Sequence, residues 1–353
     1  MQPESAELGF LSIFALLTFF IFLTVAKYSY KIKNGILLDN DFLKPQAFHS
    51  SAVSRSGGIG SLISLFVFIY IYNLLYAQVL FEYIFICLSL FFIGYLDDIK
   101  IKIDPKVRLG LMVFFLGIFT NILPVTINNI DLPFLNTWLQ NNFISSIFVV
   151  LCFLFIINGA NLIDGFNGLL TINLILINST LLFVNLNNGH TQFSFFLTGQ
   201  LVILISFLLF NFPKAKVFLG DSGSYLFGAL VALNIIITNN LNSQLSSFFF
   251  CILLFYLFFE VFFSFIRKTY QKKSPVLPDE QHLHMLSFKI LDQNKHLEKN
   301  NYLNSIIINL IFSILVLPSI YFADNSLVCK YWFFGLIIIY ISIYLRLYRL
   351  TKN

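Results

Sequence analysis

The 353 residues are 58% hydrophobic and only 11% charged, with 45 Phe, which leaves too little polar surface to cover a soluble globule of this size. The net charge of +5 implies no nucleic acid, because it is explained by orientation in a membrane and by anionic headgroups of membrane lipids. The ten-residue alternation of a transmembrane barrel is absent, so the spanning elements are helices.

Apolar runs of about 17 to 22 residues match the length a helix needs to cross roughly 30 Å of hydrocarbon. They predict an all-α, polytopic membrane protein with about eleven spans, at 9–26, 59–77, 79–96, 108–125, 143–160, 168–186, 193–211, 223–239, 246–266, 302–322 and 331–347. The first run follows a segment with no basic residue and no small-residue cleavage site, so it reads as a retained helix and not a removed signal peptide. Eleven spans divide the loops into two sets, and every Lys and Arg except Lys330 falls in one of them. The positive-inside rule makes that set cytoplasmic, with the N-terminus outside and the C-terminus inside. The four cysteines show no ligand spacing and read as small buried hydrophobes. No repeat or long linker divides the chain, so 1–353 is expected to be one catalytic domain with cytoplasmic loops at 27–58, 97–108, 158–168, 212–224 and 267–300.

Those five loops hold the unusual polar motifs. Before the second span, His49-Ser-Ser-Ala-Val-Ser-Arg55-Ser-Gly57-Gly58 offers an arginine that can grip a phosphate beside glycines that admit close approach; an ordinary basic loop reads the same way. After the third, Asp97-Asp98 repel one another unless a cation or proton intervenes, which makes the pair a candidate for Mg²⁺ binding or general-base work, or a solvated acidic turn. Asn158-Gly-Ala-Asn161-Leu-Ile-Asp164-Gly165-Phe-Asn167-Gly168 suits a uracil or ribose through amide hydrogen bonds, and also suits a plain Asn/Gly turn. Phe218-Leu-Gly220-Asp221-Ser222-Gly223-Ser224 puts a carboxylate at a helix start whose N–H groups favour phosphate, though Asp or Ser there can simply cap the helix. The hydrophilic loop from Arg267 carries Asp279-Glu-Gln-His282-Leu-His284, where two histidines can contact phosphates or move protons.

Together these segments resemble the polyprenyl-phosphate N-acetylhexosamine-1-phosphate transferases of glycosyltransferase family 4, the enzymes that initiate O-antigen, enterobacterial common antigen and teichoic acid synthesis. HxxxxxRxGG, GYLDDxxxxxxPKxRL, NLIDGxxG, FPxAKVFLGDSGS and DxxHLH occur in the family's order over nearly the whole chain. The resemblance implies transfer of N-acetylhexosamine-1-phosphate from a UDP-sugar to undecaprenyl phosphate at the cytoplasmic face of the inner membrane. It also implies Mg²⁺ as cofactor, with Mn²⁺ as substitute, and leaves a homodimer open. By motif position, Asp97, Asp98, Asp221 and His282 would be catalytic, with Asp98 and Asp221 on the metal. Arg55, Lys106, Asn161, Asp164, Phe218 and His284 would bind substrate.

Several positions depart from the family pattern. Ala52 and Ser54 stand where prolines are usual, Asn167 replaces a second Asp, Glu280 replaces Arg, and Met285 replaces a third His. The last departure favours a sugar-only donor over the phospho-N-acetylmuramoyl-pentapeptide branch. A transporter would place ionisable residues near mid-membrane, and Glu260 is the only acidic residue well inside the spans; its nearness to Arg267 is equally consistent with snorkelling or an ion pair. An inactive scaffold would have lost an aspartate from these motifs, and none is lost.

Overall fold

The computed structural model describes residues 3–32, 35–40, 51–101, 103–123, 125–127, 130–274, 277, 279–294 and 296–352; His49 lies outside them. In chain order the elements are α1 (Pro3–Ser29), strands β1 (Leu38–Asp39) and β2 (Val53–Ser54), α2 (Gly57–Tyr76), α3 (Phe81–Asp98), α4 (Pro105–Ile122), α5 (Pro133–Leu139) and α6 (Asn142–Ile163). There follow α7 (Leu169–Asn187), α8 (Thr191–Asn211), α9 (Gly220–Leu241), α10 (Ser247–Leu253), α11 (Phe255–Tyr270), α12 (Leu283–Leu291), α13 (Leu297–Val316) and α14 (Ser326–Leu350). Local chemistry sets several starts. Asp104 accepts from the Lys106 N–H ahead of Pro105 at α4, and Asn141 and Asn325 cap α6 and α14 in the same way.

Among the described residues nine helices are long and apolar enough to cross a membrane. α3 is 18 residues long but carries Glu82, Asp97 and Asp98. The expected straight span at 246–266 is instead two helices, α10 and α11, bent by 77°. The break is at Leu254, whose backbone (φ −91°, ψ 3°) leaves helical geometry. The chain is thus an all-α, multi-pass membrane protein.

α9 is the axis of the bundle, buried nearly all round and packed against α2, α3, α6 and α7. α1 and α14 show the opposite pattern, with apolar side chains such as Leu16, Phe20 and Ile338 left outward to lipid. Without a hydrophobic drive between helices in lipid, polar side chains help to fix the packing. Asn234 of α9 accepts from the Tyr83 hydroxyl of α3 at 2.7 Å and donates to Asn178 of α7 at 3.0 Å and Gln200 of α8 at 2.7 Å. One amide therefore ties four helices.

Candidate active site

The five motif loops converge at one end of the bundle, around the start of α9. Asp98 ends α3 there, 1% exposed. Its Oδ1 accepts from the Asp221 N–H at 2.9 Å, and its Oδ2 from the N–H of Ser222 at 2.9 Å and from the Ser222 hydroxyl. The first free N–H groups of α9, expected to greet a phosphate, are already held by this resident carboxylate. Asp98, expected to act in catalysis and on a metal, is placed behind the cavity wall as the cap of α9. The clasp works only because backbone approaches backbone closely. Gly220 adopts φ +78°, and a Cβ there would lie 2.6 Å from Asp98 Oδ2; a Cβ on Gly94 would lie 2.4 Å from the Asp221 carbonyl.

Beside the clasp lies a cavity of about 700 Å³ whose wall includes Asp97, Asp164, Asp221, Arg55, Arg108, Asn161, Phe218 and His282. Arg108 Nη1 lies 3.0 Å from Asp221 Oδ2 and 3.6 Å from Asp97 Oδ2, so one guanidinium offsets both carboxylates. Lys106, expected to bind substrate, points out and is exposed. Two residues along a helix lie about 200° apart, so only one of Lys106 and Arg108 can face inward. Burial pushes the Asp164 carboxyl well above the usual carboxylate range, the charges of Asp221 and Asp98 add to the rise, and Arg55 opposes it. Asn161 donates to Ser224 Oγ at 3.1 Å, joining the end of α6 to α9. Arg55 gives one edge of its guanidinium to Asp39: its Nε and Nη2 donate to Asp39 Oδ2 at 3.0 and 2.6 Å.

The histidine side of the cavity is built differently. Glu260 of α11, 1% exposed, faces His282 Nδ1 at 3.1 Å and accepts from the Leu283 N–H at 3.1 Å and from the Tyr340 hydroxyl. Of the two readings of Glu260, an ion pair with Arg267 is not the one formed, since Arg267 Nη2 donates to Asp279 Oδ2 at 2.7 Å. Asp279 Oδ1 in turn lies 3.2 Å from His282 Nε2. His284, expected to touch substrate, stacks behind His282, 0% exposed, with its Nδ1 at 3.2 Å from the Tyr256 hydroxyl. Burial pushes its imidazole down to about 3, with Glu260 opposing.

Asp39 and Glu260 lay outside the motifs, and Arg108, the arginine of PKxRL, had been given no role. Asp39 and Arg108 each needed a partner distant in sequence to acquire meaning. Glu260 carried a signal, an acid inside a span, but its partner lay 22 residues on.

No set of three His, Cys, Asp or Glu side chains able to hold a metal occurs among the described residues. Asp97 and Asp221, partly exposed on one wall and sharing Arg108, nonetheless fit a hard cation such as Mg²⁺. That ion is commonly bound by one or two carboxylates plus water and substrate phosphates.

Residues 80–239, which include the clasp, Asp97, Asn161, Asp164 and Asp221, match the model of glycosyl transferase family 4. The match covers a little under half of the chain and supports a relationship to that family. Its similarity extends to the undecaprenyl-phosphate alpha-N-acetylglucosaminyl 1-phosphate transferase of Thermotoga maritima, 27% identical over 236 residues, 67% of this chain and 68% of that one. The phospho-N-acetylmuramoyl-pentapeptide-transferase of Clostridium perfringens is 34% identical over 151 residues, 40% of this chain and 47% of that one. Its counterpart in Streptococcus agalactiae is 30% identical over 151 residues, 40% and 44% of the two chains. Alignment with these last two spans less than half their length. The chain is accordingly a membrane transferase whose homologues are phosphosugar transferases.

Proposed function

We propose that the chain transfers an N-acetylhexosamine-1-phosphate from a UDP-sugar to undecaprenyl phosphate, releasing UMP, at the cytoplasmic face of the inner membrane, as the first membrane step of cell-envelope glycan synthesis. One observation carries this reading: the charged wall of the cavity runs directly into an apolar one, formed by Met112, Leu151, Leu154, Phe155, Val261 and Phe265. Leu151 and Phe265 are largely exposed, so the apolar wall is open and not sealed inside the bundle. A cavity half acidic and basic, half hydrocarbon, suits a reaction between a water-soluble nucleotide and an acceptor anchored in a bilayer.

An acceptor phosphate oxygen attacks the donor's β-phosphorus, a P–O bond forms, and the bond to the α-phosphate's bridging oxygen breaks to free UMP. Asp97 sits where it can take a proton from the acceptor phosphate, and Arg55 and Arg108 bring guanidinium donors to a diphosphate. Phe218 offers a face for the uracil, while Asn161, Asp164 and Asn167 offer hydrogen bonds to base and ribose. His282, whose two ring nitrogens face Glu260 and Asp279, would hold those carboxylates away from the donor's anionic end. Mg²⁺, or Mn²⁺ in its place, held by Asp97 and Asp221, would offset charge on the diphosphate.

A second reading, transfer of phospho-N-acetylmuramoyl-pentapeptide, is favoured by the 34% identity to the Clostridium perfringens enzyme. Against it stands the His-Leu-His-Met run, in which Met285 is 0% exposed and packed in the core. A radiolabel transfer assay separates the readings, using purified protein, undecaprenyl phosphate, Mg²⁺ and a panel of UDP-N-acetylsugars plus UDP-N-acetylmuramoyl-pentapeptide. Lipid-linked label from one or two simple sugars, lost in Asp97→Asn and Asp221→Asn, supports the first. Label from the pentapeptide donor alone supports the second. No label from any donor, with a homologous enzyme active alongside, rejects both.

A further inference from the structure

We infer that Asp39 is a positioning residue that aims the Arg55 guanidinium at the phosphate groups of the donor; this rests on the reading under Proposed function. Asp39 lies on β1, before the 41–50 stretch, in a segment with no feature of the sequence motifs. The two short strands pair antiparallel, Leu38 opposite Ser54 and Asp39 opposite Val53, and the Arg55 N–H donates to the Leu37 carbonyl at 2.8 Å. The hairpin is itself tied to the loop before α9, because Ser54 bridges to Val217 and its carbonyl accepts from the Phe218 N–H at 2.7 Å. Asp39 and Arg55 therefore stand on a backbone frame that also carries Phe218, and both line the cavity.

Three other carboxylates, Asp97, Asp164 and Asp221, line the same cavity. A long arginine side chain among them would have several anions to choose from. Asp39 removes the choice by taking Nε and Nη2 on one edge of the guanidinium, with the Asp39 side chain 10% exposed and the Arg55 side chain 21%. A guanidinium has five N–H donors in a rigid fork. With one edge fixed, the remaining donors, which have no partner among the described residues, are held in one orientation at the cavity wall. That is the preorganisation a phosphate-binding arginine needs. A fork already oriented loses little freedom on binding.

Two arms test the inference on the full-length protein. In the first, modification of arginines by phenylglyoxal is followed peptide by peptide, with and without inorganic pyrophosphate. Pyrophosphate is expected to slow modification of Arg55 several-fold in the wild type, to lose that effect in Asp39→Ala, and to regain part of it in Asp39→Glu. Equal modification of wild-type Arg55 with and without pyrophosphate would overturn the inference, whatever the transfer assay shows.

The second arm is steady-state kinetics. Asp39→Ala and Arg55→Ala are each expected to raise KM for the donor about 10-fold or more, the scale of one charge-assisted hydrogen bond, with kcat within about 3-fold of wild type. The double variant should be no worse than Arg55→Ala alone, because the two residues act as one unit. A loss of kcat in Asp39→Ala of about 1,000-fold at unchanged KM would place Asp39 in the chemistry itself and sink the positioning role. So would additive losses in the double variant. If Asp39→Ala fails to fold by thermal unfolding, Asp39→Asn, which keeps volume and removes the charge, is read by the same criteria. A wild type inactive with every donor counts against the proposed reaction, while the pyrophosphate arm still decides the role of Asp39.

Discussion

Two sides of one cavity are held in place by opposite means. On the carboxylate side, α3 and α9 meet backbone to backbone, with Gly94 and Gly220 leaving no room for a Cβ and Asp98 closing the gap through main-chain N–H groups. On the histidine side, α11, α12 and α14 are joined through side chains, Glu260 to His282 and Tyr340, and Arg267 to Asp279 and Tyr344. The first arrangement is intolerant of added volume and fixes Asp97 and Asp221 within a narrow range. The second depends on charge and hydrogen bonding, and can lose precision without losing the fold.

The sharpest break in this contrast separates the two adjacent aspartates. Asp97→Asn is expected to cut transfer by about 10²- to 10⁴-fold, the scale of a lost general base, with the unfolding midpoint unchanged. Asp98→Ala should instead destabilise the protein by about 3–5 kcal/mol, because three donors at the start of α9 lose a charged acceptor, and activity should fall with the folded fraction. Thermal unfolding and turnover measured on both variants distinguish a chemical role from a clasp; similar midpoints for the two would defeat the assignment.

Next in size is Glu260→Gln. Gln keeps the shape but removes the charge facing His282, and breaking such a buried pair costs about 3 kcal/mol or less where a polar isostere remains. The expected signature is a transfer rate lowered about 10-fold with a modest midpoint drop, the reverse of the balance in Asp98→Ala. Gly94→Ala then probes volume alone, with an expected cost of about 1–3 kcal/mol from overpacking against Asp221. Gly110→Ala, where nothing lies within 4 Å of the added Cβ, should cost nothing.

The last comparison is a pH dependence. His284 titrates near 3 in the folded protein against roughly 6.5 in an unfolded chain. The unfolded state therefore binds the extra proton, so this contribution to stability is fully present above pH 6.5 and is lost as pH falls from 6.5 toward 3. Replacing His284 with Asn should flatten the midpoint-versus-pH curve over that window by at most about 1.4 kcal/mol per pH unit. Curves of equal slope for variant and wild type would mean His284 is solvated and titrates freely.

Hydrophobic run lengths made the helical architecture legible, since a span's length is a property of the bilayer and needs no tertiary information. They could not reveal the 77° break at Leu254, because an apolar run looks the same whether its helix is straight or bent. The motif residues Asp97, Asp164, Asp221, Asn161, Phe218 and His282 all line one cavity. Motif order could not distinguish Asp97 from Asp98, which are neighbours in sequence but point about 100° apart around α3, one to the cavity and one to α9. The same helical rotation exchanged Lys106 for Arg108. Asp39 was invisible because an isolated Asp carries no pattern until a strand pairing brings Arg55 beside it.

The bend between α10 and α11 gives the proposed reaction a geometry that a straight helix would deny it. With α11 turned aside, Val261 and Phe265 form a threshold between the acidic chamber and the hydrocarbon. A long-tailed acceptor can then slide in sideways, its head group arriving at the aspartates while its tail never leaves the oil. The nucleotide comes from water and departs to water. The protein becomes a meeting place for a molecule diffusing in two dimensions and another diffusing in three.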